Sequence, residues 1–178
     1  MRLQIVLHRF AAIFAFAVFA LLPSASVASE VWTRFNDPAG AFSVDVPQAF
    51  TVSRNSTTAA DGFTTKMTQY LIDRGTSALL VMDAAYSRQP NDDAAVIDTA
   101  VAATQAQTHA FESNEDDDLN GHLGRQLTFH KFDGTLVTVR MFVIGNHFYQ
   151  FIAGGPKVPS PQQNAVAQRY LSSLHFLR

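Results

Sequence analysis

The sequence predicts an α+β domain, a central antiparallel β-sheet flanked by helices, following an N-terminal signal peptide. Three observations carry that prediction. Short runs with strand-like alternation recur along the chain. Two pairs of turn residues, Asp133-Gly134 and Gly145-Asn146, join neighbouring runs tightly enough to make antiparallel hairpins. Two stretches with helix-capping chemistry separate the strand groups, giving the order strands, helix, strands, helix.

The chain opens with a basic start (Arg2, His8, Arg9), an apolar run from Phe10 to Leu22, the breaker Pro23 and the small-residue end Ser26-Val27-Ala28. This is the layout of a secretory signal, with cleavage expected between Ala28 and Ser29. The apolar run is shorter than the ~20 residues of a membrane-spanning helix. Residues 1–28 are therefore read as leader and 29–178 as one domain, long enough for a core of its own. The expected location is periplasmic or secreted. The chain contains 0 Cys, so thiol chemistry and a cysteine-borne lipid anchor are excluded. No later segment reads as a membrane span. The formal net charge is -2 and falls by two more when Arg2 and Arg9 leave. That balance argues against nucleic acid or an anionic membrane as partner.

Val31–Phe35 reads as a first strand, Asn36–Gly40 as a turn, and Phe42–Val46 as an alternating strand stopped by Pro47. The polar stretch Arg54–Asp61 reads as a loop. Lys66–Asp73 and Ala78–Ala85 follow as strands joined by Arg74-Gly75-Thr76-Ser77. The consecutive apolar residues Leu79-Leu80-Val81-Met82 fit a central strand covered on both faces. A helix is expected over Asp92–Thr108, capped by Asn91 or Asp92, with Ile97, Val101, Thr104, Thr108 and Phe111 as its buried stripe. Gly124–Phe132, Thr135–Ile144 and His147–Ala153 should form a three-stranded meander. Two-residue turns would set Phe132 against Thr135 and Ile144 against His147. The last helix begins after Ser160, with Pro161 in the first helical position and Gln163 closing a capping box; Val166, Tyr170, Leu171 and Leu174 supply its buried stripe.

The order of these features resembles the PsbP-like superfamily, in particular its small exported bacterial members of unassigned function. The residues that carry the likeness are an aromatic-bearing first strand, Gly40-Ala41-Phe42-Ser43-Val44-Asp45-Val46-Pro47, then Gly121–Arg125, Val139-Arg140, Gly145, His147-Phe148-Tyr149 and Tyr170-Leu171-Ser172-Ser173-Leu174. The resemblance implies an α/β/α sandwich and a role in binding or assembly. It brings no catalytic residue. Photosynthetic members bind partners partly through basic elements, which this acidic chain lacks.

Two-residue turns would align Arg125, Phe142 and Tyr149 across one face of the meander, with Leu127, Arg140 and Phe151 in the next row. Arg125 and Arg140 beside Tyr149 then form a candidate anion grip, since guanidinium forks suit carboxylate or phosphate. The plainer reading packs the arginine stems over aromatics, with their heads reaching Asp83, Asp45 or water. The 112–121 segment is acidic, and Asp116, Asp118, Asn120 and Gly121 copy the opening of a calcium loop. Its closing bidentate Glu is missing, because Leu127 stands there; a solvated acidic loop is the preferred reading. His130 and His147 are expected on opposite faces, and no histidine pair has zinc spacing. No nucleophile motif is present. The expectation is a soluble, exported, non-catalytic module without cofactor that binds an unknown protein or small ligand. The alternative is a carrier of small anions or metal ions.

Overall fold

The structure, a computed structural model, describes residues 30–177. The expected leader, residues 1–28, and its cleavage point lie outside the described residues. The strands are β1 (Thr33–Asn36), β2 (Phe42–Val46), β3 (Thr51–Thr58), β4 (Thr64–Asp73), β5 (Ala78–Tyr86), β6 (Thr108–Leu119), β7 (His122–Lys131), β8 (Leu136–Ile144), β9 (His147–Gly155) and β10 (His175–Phe176). Helix α1 (Asp93–Gln105) lies between β5 and β6, and α2 (Pro161–Ser172) between β9 and β10. The large sheet has the order β3-β4-β5-β9-β8-β7-β6, and a small sheet has the order β1-β2-β10. All its strand pairs are antiparallel.

Each face of the large sheet carries its own core. On one face α2 and the small sheet bury Phe42, Val44, Val81, Phe142, Phe151 and Tyr170. On the other, α1 places Ile97 and Ala100 against Leu127, Phe129, Val139 and Met141. The two faces are called the α2 face and the α1 face below. Burying one such large side chain contributes about 1.5–3 kcal/mol. The expected sandwich of sheet and helices is thus the observed architecture. The start of α2 is as the residues dictate: the Ser160 hydroxyl accepts from the Gln163 N–H and the Gln163 side chain accepts from the Ser160 N–H. Tyr170 then docks this helix by donating its hydroxyl to the Leu80 carbonyl at 3.0 Å. Asp92 caps α1 by accepting from Ala95 N–H.

Three segments depart from the sequence reading. Arg54–Asp61 is not a loop up to Asp61: β3 runs through Thr58, with the strand-favouring Thr51, Val52, Thr57 and Thr58 at its ends and every residue exposed. No apolar alternation marks such a strand. The 112–121 segment is also strand, the acidic β6, closed onto β7 by Asn120-Gly121 with φ of 58° and 81°, the signature of a type I′ turn. Helix α1 accordingly ends at Gln105, and Thr108 and Phe111 belong to β6. There the Thr108 hydroxyl donates to the His130 carbonyl at 2.5 Å, and Phe111 packs on Phe129.

The third departure decides the site. Gly145-Asn146 makes the expected two-residue turn, with Gly145 at φ 59° and Ile144 opposite His147. The β7–β8 turn is one residue longer than expected. Lys131 N–H donates to the Thr135 carbonyl and Gly134 N–H to the Lys131 carbonyl, so Phe132-Asp133-Gly134 is the loop and Gly134 sits at φ 86°. The Asp133 carboxylate accepts from Thr135 N–H at 2.9 Å, which favours this geometry and holds its carboxyl below the usual value. One added residue turns every β7 side chain to the other face of the sheet.

Candidate functional site

Because of that turn, Arg125 lies opposite Met141 and Arg140 lies opposite Gln126. The proposed grip of Arg125, Arg140 and Tyr149 therefore does not assemble: Arg125 is on the α1 face, whereas Arg140 and Tyr149 are on the α2 face. Each arginine has a carboxylate of its own. Arg125 Nη1 reaches Asp116 at 2.8 Å and Nη2 comes within 4.0 Å of Asp98. Arg140 meets Asp117 in a two-pronged pair, Nε to Oδ2 at 2.7 Å and Nη2 to Oδ1 at 2.8 Å. Its third prong, Nη1, donates to the Leu171 carbonyl at the end of α2 at 2.8 Å. With side chains only 11% and 12% exposed, this pair clamps β6 and α2 onto β8. Neither arginine reaches Asp83 or Asp45.

Asp116, Asp118 and Asn120 do not form a loop around an ion. Asp116 and Asp118 alternate along β6, and Asp118 accepts from Gly121 N–H in the turn. Among the described residues no group of three or more His, Cys, Asp or Glu has metal-holding geometry. His130 and His147 share the α2 face by parity, contrary to expectation. They stand at opposite ends of it: His130 Nε2 lies 3.0 Å from the Glu112 carboxylate beside the β7–β8 turn, and His147 borders the β8–β9 turn.

What the structure does bring together is a polar tract on the α2 face that the upper layer leaves open. The register fixes it as a grid. One row reads Ser56, Lys66, Ala85, His147, Ile144 across β3, β4, β5, β9 and β8. The next reads Arg54, Thr68, Asp83, Tyr149, Phe142, and the third Val52, Tyr70, Val81, Phe151, Arg140. The third row is roofed: the Tyr70 hydroxyl donates to Asp37, in the β1–β2 turn, at 3.0 Å. The first row is not roofed, and Arg54, Ser56 and Lys66 are exposed.

At the edge of the roof His147 Nδ1 lies 2.7 Å from Asp83 Oδ1, and the imidazole stacks on Tyr149 at 5.5 Å and 8°. Asp83 and His147 are diagonal neighbours on adjacent strands, and Ala85 between Lys66 and His147 is small enough to leave the ring accessible. Burial raises the Asp83 carboxyl above its ordinary value; the hydrogen bond and charge of His147 pull it back, and nearby Asp37 raises it further. Burial likewise raises the Tyr70 phenol, with its bond to Asp37 adding to the shift. With Nδ1–H donating to Asp83, Nε2 is the nitrogen that faces a ligand: acceptor in the neutral ring, donor when protonated. The side chains of Arg54 and Lys66 make no hydrogen bond or ion pair among the described residues. They are diagonal neighbours, roughly 7–8 Å apart at the backbone. The arrangement offers two uncommitted cations and an oriented imidazole to one solvent-facing strip. Of these residues the sequence names Tyr149 and His147, and Asp83 as a partner for the arginines rather than for His147. Asp83, Arg54 and Lys66 reach the strip through the β3–β4, β4–β5 and β5–β9 pairings, and no local signal announces the last of these.

Neither a protein-family model nor a curated protein sequence matches the chain. A solved structure does: the solution structure of cyanobacterial PsbP (CyanoP) from Synechocystis sp. PCC 6803 aligns over 88% of this chain and 98% of that chain, with a TM-score of 0.50. The chain has the PsbP fold. At 15% sequence identity the likeness is one of architecture. The PsbP fold here comprises the large antiparallel sheet and its two helices, one on each face.

Proposed function

We propose that the chain is an exported, non-catalytic binding or assembly module, periplasmic or secreted, whose partner presents negative charge to the open strip of the α2 face. The observation that carries this reading is the convergence of Lys66 and the Asp83-held His147, in the unroofed row, with Arg54, exposed in the row beside it. Asp83 is already engaged by His147, so the uncommitted charge on the strip is cationic. The PsbP fold supports a binding role as precedent of architecture only. In the Asp83–His147 couple an orienting carboxylate holds an imidazole, but among the described residues no hydroxyl is hydrogen-bonded to Nε2, as a nucleophile–base set requires. Export rests on the leader-like residues 1–28.

Sulfate titration followed by NMR tests the strip. Shifts confined to Lys66, Arg54 and His147, about tenfold weaker in the Arg54→Gln, Lys66→Gln double variant, are expected. Unchanged spectra at millimolar sulfate overturn the reading. Amino-terminal sequencing of the exported protein should begin at Ser29.

A further inference from the structure

We propose that the outer edge of β3 receives an extended, acidic peptide segment as an eighth strand of the large sheet. This rests on the reading of the open strip and names the partner's form. The first argument is the edge itself. All eight residues of β3 are exposed, its pairing with β4 runs without a bulge, it contains no proline, and its only charge is Arg54. An edge so built is a template for another strand.

The second argument is the direction of its backbone groups. Ala59 N–H donates to the Phe63 carbonyl at 2.8 Å, which makes this a hydrogen-bonded pair. Such pairs recur at every second residue of an antiparallel ladder. Thr51, Ser53, Asn55 and Thr57 therefore bond to β4, whereas Val52, Arg54, Ser56 and Thr58 point N–H and C=O outward. The third argument is charge. The outward-pointing residues are those whose side chains lie on the α2 face, in the rows of Tyr70 and Lys66. An added strand would set alternate side chains beside Arg54 and Ser56, with Lys66 one strand further. Carboxylates at those alternate positions complement the strip, and the intervening positions would lie beside the neutral Ser53, Asn55 and Thr57. A second β3 would bring Arg54 towards Arg54 and is disfavoured.

The test uses the chain from Ser29 onward and three labelled peptides: one alternating Glu with Thr, one of the same length with Pro replacing Thr, and one with Lys replacing Glu. Fluorescence anisotropy should show the Glu–Thr peptide binding at least about tenfold more tightly than the other two. Ser56→Pro removes an outward N–H and should weaken it by a similar factor, with circular dichroism confirming the fold; the peptide series on the unaltered chain decides the matter even if that variant unfolds. Equal binding of the Pro peptide, or sulfate binding without peptide binding, overturns strand addition and leaves the anion strip standing. Binding of neither sulfate nor peptide overturns both. Concentration-dependent dimers in sedimentation, abolished by Ser56→Pro, would make a second copy the occupant and overturn the peptide assignment.

Discussion

The two edges of the large sheet, β3 and β6, solve the same exposure problem in opposite ways. β6 carries Glu112, Glu115, Asp116, Asp117 and Asp118, and its pairing with β7 is broken by register shifts between Thr108 and Ser113. Repulsion and irregularity both discourage a further strand there. β6 is also tied down, by Asp117 on Arg140 and Asp116 on Arg125. β3 is regular, nearly uncharged and, among the described strands, paired only with β4. The difference teaches that the sheet is closed at one side and left available at the other.

The contrast can be broken from its strongest point. Arg140→Leu leaves Asp117 partly buried without its partner, and a loss of about 3–4 kcal/mol is expected in urea unfolding. A loss below about 1 kcal/mol would show that β6 is held by its backbone ladder alone. Gly124→Ala comes next. A Cβ there would sit 2.3 Å from the Met141 carbonyl oxygen and 2.5 Å from the Phe142 ring, which folds over the glycine. Neither backbone nor buried ring can yield cheaply, so destabilisation of about 2–3 kcal/mol should appear in the same assay. On β3, Asn55→Pro deletes an N–H directed at β4 and should cost about 2 kcal/mol. Ser56→Pro, one residue on, deletes an outward N–H and should cost less than about 1 kcal/mol. Equal costs for the two would refute the assigned direction of the β3 ladder.

Legibility in the sequence followed locality. The α2 cap at Ser160, Pro161 and Gln163, the Gly145-Asn146 turn and the strand Phe42–Val46 are each encoded within a few residues, and each is where the residues place it. β3 and β6 escaped because strands exposed on both sides, or loaded with carboxylates, carry no alternating apolar pattern. The arginine pair failed on a single residue: Asp133-Gly134 fits a two-residue turn as a dipeptide, but Phe132 joins the loop and Asp133 accepts from Thr135. The Asn120-Gly121 pair was the available signal for the β6–β7 hairpin. The Asp83–His147 contact had none, because it joins residues 64 positions apart through strands that pair only in the folded sheet.

Arg140 holds one end of α2 and one margin of the sheet with the same guanidinium, through Leu171 and Asp117. Fraying of that margin is thereby coupled to loosening of the helix terminus, so amide exchange across both should report one shared opening event rather than two. Among the described residues no side chain of β3, at the opposite margin, makes such a link to a helix.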